Sequence, residues 1–214
     1  MALLHQLCRR AVLELGSSGA CVTVAGSAGI EVIAWSDENA KALEDLQFVL
    51  GEGPTGDAFR VAQPVLVSDL AAVGNRWLQF ASAARSRGVG GVYSFPLQVG
   101  AVRSGVLTVY CRTGESLDES RLRECSRMAD SIRDSLLGAL DTTDGAREIS
   151  GSMPLRTVVY QAQGMVMVAL DVSLADALSR LRALAYSEGL DLNDLAAELV
   201  SGRRRMPTRD QGAQ

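Results

Sequence analysis

Apolar residues recur every three or four positions at the start of the chain and predict a helix over residues 2–15, which glycines end. Two runs rich in β-branched residues, 20–25 and 30–35, follow and are separated by Gly-Ser-Ala-Gly. This pattern predicts a β-hairpin. Helical spacing returns over residues 38–50, and the sequence Gly51-Glu52-Gly53-Pro54 ends that helix.

Short helices and strands continue to alternate up to residue 140. The segments predicted are a helix at 56–61, a strand at 64–67, a helix at 77–87, strands at 91–99 and 104–111, and an amphipathic helix at 118–140. The order α-β-β-α-α-β-α-β-β-α predicts an α+β domain in which helices cover a central antiparallel sheet.

The remaining residues differ in composition from the first part. Residues 141–152 are polar and rich in Gly, Ser and Thr, which predicts a linker. Three helical stripes then fall within residues 153–202, which predicts a small all-α unit of three helices. Such a small core is marginally stable alone, and this favours docking or dimerisation. The predicted organisation is therefore a domain at 1–140, a linker, a second domain at 153–202 and an Arg-rich flexible tail at 203–214.

Composition excludes several classes of protein. No apolar run approaches the roughly 18–20 residues that span a bilayer, and the N-terminus is too polar for a secretory signal. We therefore expect a cytoplasmic protein that does not contact a membrane. The four cysteines form no C-x-x-C pair and His5 is the sole histidine, so we expect no metal site and no cofactor.

Charge is unevenly distributed along the chain. Residues 1–149 hold 14 basic and 18 acidic residues, whereas residues 150–214 hold seven of each. The acidic first part argues against non-specific nucleic-acid binding there. Four arginines and no acid lie in residues 201–209. This stretch either contacts phosphates or forms a solvated tail.

The segment from Leu50 to Pro54, with the strands around residues 94–97 and 104–110, resembles the GAF domain family. The resemblance implies a sheet with one face that often holds a small molecule. The chain has no cyclic-nucleotide or bilin signature, so the effector is unidentified. One GAF branch reduces methionine sulfoxide with paired cysteines, but the thiols here lie on apolar stripes and strands, so we expect no enzyme. Aromatic residues that either line a pocket or form plain core are Trp35, Phe48, Trp77, Phe80 and Tyr93.

Residues 161–167, Gln-Ala-Gln-Gly-Met-Val-Met, are similar to the Gln-Ala-Lys-Gly-x-Leu-Met segment of ANTAR domains. The resemblance implies a dimeric unit that binds RNA hairpins in nascent transcripts and prevents terminator formation. Residues that match the structural motif of the family are Ala162, Gly164, Met167, Ala177, Leu181 and Ala196. Gly164 lies inside a predicted helix, which we interpret as a place where another helix packs very close.

The resemblance also suggests which side chains contact RNA. Candidates are Arg156, Gln163, Arg182, Arg203, Arg204 and Arg205. Gln163 stands where the family usually has Lys, and one cation fewer lowers the affinity for phosphates. A second hypothesis follows, in which the module has lost RNA binding and serves dimerisation or protein interaction. Tyr160 and Tyr186 either stack on bases or pack at the rim of the core.

Overall fold

A computed structural model describes residues 2–26, 29–140 and 156–206. The chain divides into two compact units, Met1–Ser152 and Met153–Gln214. The predicted linker at 141–152 lies outside the described residues, and each unit is described here by itself.

The first unit is a five-stranded antiparallel sheet covered by helices, and this confirms the predicted fold class and element order. Strands lie side by side in the order β2-β1-β5-β4-β3. The elements are α1 (Ala2–Leu15), β1 (Gly19–Gly26), β2 (Gly29–Trp35), α2 (Glu38–Leu50), α3 (Pro54–Val61), β3 (Val65–Val67), α4 (Leu78–Ser86), β4 (Val89–Val99), β5 (Val102–Arg112) and α5 (Glu119–Leu140).

The β4–β5 hairpin is longer than predicted at both ends. Val89 pairs with Arg112 and Val99 pairs with Val102. The turn therefore consists of Gly100 and Ala101 alone, and Gly100 has a φ of 57°. A two-residue turn needs this left-handed backbone, which glycine adopts without strain.

The two faces of the sheet bury different helices. One face carries Cys21, Val92, Val106 and Tyr110 and packs against a core built from α2, α3 and α4. Helices α1 and α5 pack together and against the strands as well. Because side chains alternate along a strand, residues between these core positions point to the α1–α5 side.

Local signals position α2 and α3. The side chain of Asp37 accepts hydrogen bonds from Asn39 N and Ala40 N at the start of α2. Gly51 ends α2 in the left-handed conformation, with a φ of 69°. Gly53 has a φ of 145°, and a Cβ there would lie 2.1 Å from Gln47 Oε1. The Gly-x-Gly-Pro sequence therefore lets the chain turn closely beside a buried glutamine.

The second unit contains α6 (Thr157–Leu170), α7 (Leu174–Glu188) and α8 (Leu192–Val200). Ser173 and Asp191 cap the starts of α7 and α8 through their side-chain oxygens, as predicted. Gly189 ends α7 with a φ of 66°. The predicted start of the first helix near residue 153 lies outside the described residues. The apolar stripes of the three helices are buried together and form one small core.

Within the described ranges, no single helix combines the length and apolarity of a membrane span. Helices α6 and α7 reach that length and apolarity only when taken together, and this pair is bent by 106°.

Gly164 does not have the role that the sequence suggests. A Cβ built on Gly164 meets no atom within 4 Å outside its own helical backbone, so the interpretation that another helix packs close to it is wrong. Because glycine weakens a helix interior by about 1 kcal/mol relative to alanine, we expect Gly164→Ala to raise the free energy of unfolding by about that amount in urea denaturation.

Gly189→Ala is the matched control for this prediction. Gly189 also has open space around it but adopts a positive φ, so alanine there should lower the stability. A loss of stability in Gly164→Ala would mean that the space beside Gly164 is not open.

Candidate functional site

A network of buried polar side chains lies on the sheet face that packs against α2 and α3. All its members are less than 7% exposed. They are contributed by two helices and two strands and comprise Glu44, Gln47, Thr55, Ser94, Thr108 and Tyr110. This network was not predicted, because each of its residues stands alone among apolar or helical positions in the sequence.

One oxygen of Glu44 is the centre of the network. It accepts hydrogen bonds from Tyr110 Oη at 2.6 Å, Thr55 Oγ1 at 2.9 Å and Gln47 Nε2 at 3.2 Å. Gln47 Oε1 in turn accepts from Thr55 N at 2.9 Å. The carboxylate therefore joins α2, α3 and β5 at one point in the protein interior.

The hydroxyl groups of the network have defined donor and acceptor roles. Thr55 gives its only hydroxyl proton to Glu44, so in the 2.8 Å contact with Thr108 the proton must come from Thr108. By the same argument Ser94 donates to Thr108 across 3.2 Å. The donors run from β4 through β5 and α3 toward the carboxylate, and buried polar groups are satisfied in this way.

Burial dominates the ionisation of the groups beside Glu44. It raises the pKa of Tyr110 well above its ordinary value, and the negative charge of Glu44 raises that pKa further. The pKa of Cys21 is raised by the same two causes in the same order. Both groups are therefore protonated and neutral at physiological pH.

The structure does not bring the five predicted pocket aromatics together. Trp77 and Phe80 are buried on the face of the polar network, and Phe48 is half-buried on α2. Trp35 is half-buried and packs against the edge of that core. Tyr93 alternates with Val92 along β4 and therefore points to the other face, where its Oη accepts from Leu117 N at 3.1 Å. A single cavity lined by all five is thus incompatible with the strand register.

Two carboxylates hold the chain at the start of α4. Glu52 Oε1 accepts from Gln79 N at 2.8 Å and from Phe80 N at 2.9 Å, which caps the helix. Asp57 Oδ2 accepts from Arg76 Nη2 at 2.8 Å and from Trp77 Nε1 at 3.1 Å. Trp77 has a φ of 54°, an uncommon conformation for a bulky residue, and these contacts hold it there.

A shallow groove lies between α1 and α5, with a cavity volume of about 100 Å³. It has an apolar floor and charged rims. Its lining consists of Leu7, Arg10, Glu124, Arg127, Met128, Ser131 and Ile132.

The cysteines lie in apolar surroundings. Burial raises the pKa of Cys8 and of Cys125 to about 12 and that of Cys111 to about 11. A thiol with so high a pKa is a poor nucleophile at neutral pH. In the parts of the chain that the structure describes, no three His, Cys, Asp or Glu side chains are grouped as metal ligands.

In the second unit, the three consecutive arginines after α8 have different surroundings. The guanidinium group of Arg204 forms ion pairs with Glu188, at the end of α7, and with Glu198 of α8. Its backbone N also donates to Glu198 O at 3.2 Å. Arg203 and Arg205 are exposed, and neither forms an ion pair with any residue of the described segments.

The other predicted RNA contacts are less accessible. Arg156 is 6% exposed and Gln163 is 2% exposed. Both were predicted to contact RNA at the surface, and both side chains are instead buried. Arg182 is half-buried. Burial and, to a smaller extent, the positive charge of Arg156 together lower the pKa of Arg182 to about 10. Gln163 lies on the buried stripe of α6, and Arg156, the residue just before α6, lies two helical turns earlier on the same side, which explains the difference.

The residues of the family motif mostly form the core of this unit. Ala162, Ala177, Leu181 and Ala196 are buried, while Gly164 and Met167 are half-buried. Tyr186 is 72% exposed on α7 and Tyr160 is half-buried. Tyr186 is therefore the more exposed of these two aromatic side chains.

Comparisons with known proteins agree with this division. The GAF domain family model matches residues 2–136, and the ANTAR domain family model matches residues 148–200. A comparison with curated proteins finds no significant match.

Among solved structures, the GAF domain of a phosphoenolpyruvate-protein phosphotransferase from Coxiella burnetii is similar, with a TM-score of 0.56 at 16% identity, over 68% of this chain and 85% of that one. The GAF region of a membrane protein from Geobacter sulfurreducens PCA has a TM-score of 0.52 at 16% identity, over 64% and 91%. These likenesses concern the fold.

Proposed function

The chain belongs to the GAF domain family and carries an ANTAR domain behind its GAF domain, and on this premise we propose that it regulates transcription antitermination. In this proposal the ANTAR domain binds RNA hairpins in nascent transcripts. The GAF domain is the sensory input and controls that output. The protein acts as a cytoplasmic homodimer, and its function is regulatory and not enzymatic.

The exposed arginines after α8 carry the proposal. Arg204 is fixed by two carboxylates on α7 and α8, so the backbone on either side of it is held against the folded unit. Arg203 and Arg205 flank this anchor and are exposed. Two cations held on a folded surface contact phosphates at a lower entropic cost than cations on a loose tail.

The GAF domain has features that suit a sensor. Its buried polar network joins α2, α3 and the sheet through Glu44, and the start of α4 is held by Glu52 and Asp57. A small polar effector that competes for these hydrogen bonds would shift helices that pack on the sheet. The long helix α5 is the last described element of this domain before the ANTAR domain in chain order.

Gel-shift titration with the double variant Arg203→Gln/Arg205→Gln tests the proposal. The probe is a hairpin RNA library with randomised loops, enriched on the wild-type protein. On a duplex, each phosphate contact adds about 0.9 to the steepness with which log affinity falls against log salt concentration. We expect the double variant to bind more weakly, and its salt dependence to be less steep by nearly the contribution of two such contacts.

Arg9→Gln is the control, because Arg9 is an exposed cation on α1 of the first unit. It should leave both the affinity and the slope unchanged. If the double variant retains the full wild-type slope, these arginines do not contact RNA and the proposed interface is wrong.

A second candidate function is a GAF-ANTAR protein that has lost RNA binding and acts through dimerisation or protein interaction. The observation that favours it is Gln163, which replaces the usual Lys of the family and is buried. Wild-type protein that retains no hairpin from the library at low salt, while light scattering shows a dimer, would favour this alternative.

A further inference from the structure

Gln163 is a polar side chain buried between α6 and α7, with 2% of its surface exposed. Its Nε2 donates to the carbonyl oxygen of Leu174 at 2.7 Å. Leu174 is the first residue of α7, and Gln163 lies two turns before the end of α6. The hydrogen bond therefore ties the start of one helix to the middle of the preceding one, across the bend of 106°.

The orientation of the Gln163 amide follows from the chemistry of its partner. A carbonyl oxygen only accepts, so the amide nitrogen must face Leu174 and Oε1 must face the opposite way. Oε1 is buried and has no hydrogen-bond partner in the described part of the chain. A buried acceptor without a partner is unfavourable, so the amide oxygen of Gln163 has a free-energy cost that the hydrogen bond of its nitrogen offsets.

The turn between α6 and α7 is also held by the backbone. Asp171 ends α6 with a φ of 49°, a conformation that is less favourable for a non-glycine residue. Val172 N donates to Met167 O at 3.2 Å. The hydrogen bond of Gln163 is a side-chain contact that joins the far side of this turn back to α6.

We infer that Gln163 is a positioning residue of the RNA-binding unit: its amide holds the first turn of α7 against α6 and so sets where the outer face of α7 meets RNA. That outer face carries Arg180 and Tyr186, both exposed. The inference rests on the proposed RNA-binding function. It assigns to position 163 an internal role in place of the direct RNA contact that the sequence predicts.

The test uses the full chain with Gln163→Met, which keeps an unbranched side chain of similar size and removes both polar atoms. Gln161→Met is the matched control, since Gln161 is exposed on the same helix. Two quantities are measured: hydrogen exchange of the backbone amides of residues 171–176 in the free protein, and affinity for the enriched hairpin library at several salt concentrations.

We expect faster exchange at residues 171–176 in Gln163→Met, with RNA affinity reduced about fivefold, the ratio that corresponds to one ordinary hydrogen bond. The salt slope should stay unchanged, because no cation is lost. Gln161→Met should change neither quantity.

Two results would overturn the inference. Reduced affinity with unchanged exchange would mean that Gln163 contacts RNA directly. Faster exchange with unchanged affinity, measured well below the melting temperature, would mean that the contact stabilises the turn without positioning anything for RNA.

The inference can also be tested without a variant. In wild-type protein, the side-chain amide protons of Gln163 should exchange slowly and keep their NMR shifts when RNA is added, whereas a large RNA-induced shift would overturn the inference. If wild-type protein binds no hairpin at all, the proposed function fails, and the exchange data still decide whether Gln163 holds the turn.

Discussion

Raising the pH from 7.5 to 9.5 under reducing conditions should lower the free energy of unfolding by about 5 kcal/mol, through the four buried thiols. Unfolded cysteine has a pKa of about 8.5, whereas burial raises the pKa of Cys8 and Cys125 to about 12 and that of Cys111 to about 11. The pKa of Cys21 is raised as well.

The sign of the effect follows from proton linkage. Above pH 8.5 the unfolded chain releases its thiol protons while the folded chain keeps them, so ionisation stabilises only the unfolded state. The contribution of the protonated thiols to stability is fully present below pH 8.5, and it is lost as pH rises toward the pKa values of the thiols in the folded chain. Each thiol contributes about 1.4 kcal/mol per pH unit in this window.

Urea denaturation at both pH values measures the effect, and Cys8→Ala/Cys125→Ala is the comparison. With two of four thiols removed, the loss between pH 7.5 and 9.5 should fall to about half. An unchanged loss in this variant would show that other groups cause the pH dependence.

Tyr110→Phe should lower the free energy of unfolding by about 1.5–3 kcal/mol, the range for a hydrogen bond to a charged group. The substitution removes the donor of the 2.6 Å hydrogen bond to Glu44 and leaves a buried carboxylate less well solvated. It also removes the acceptor that lies 3.0 Å from Gln47 Nε2. Urea denaturation of the full chain, followed by the signal of the GAF domain, measures the loss.

Tyr186→Phe provides the control, because it removes the same hydroxyl from a side chain that is 72% exposed. Its effect should stay within about 0.5 kcal/mol, as for most surface substitutions. Equal stability of Tyr110→Phe and wild type would mean that Glu44 does not depend on the network.

Periodicity predicted the elements of this fold well because each helix and strand buries one face. The stripe of α5 and the alternation in β4 and β5 are local patterns, and short turns bring neighbouring strands together. Strand ends were less predictable: β4 extends back to Val89 because it pairs with Arg112, a partner more than twenty residues away. Pairing of this kind cannot be inferred from local sequence.

The candidate sites were less predictable because they depend on which face of an element is buried. Tyr93 was grouped with Trp77 from residue type alone, although one position along β4 separates the two faces of the sheet. Gln163 was predicted at the surface from the family's Lys, whereas the helical stripe of α6 buries it. Glu44 and Gln47 gave no signal, since polar residues in a helix ordinarily face solvent.

The placement of the two tryptophans has a practical consequence. Trp35 packs at the edge of the GAF core, with the ring of His5 at 4.6 Å, and Trp77 lies beneath Arg76, whose guanidinium carbon is 4.0 Å from the ring. The chain has two tryptophans in all, so its tryptophan fluorescence comes from the first unit and the ANTAR domain contributes none. A change in tryptophan emission when RNA is added would therefore report a signal that has travelled between the domains, without any attached dye.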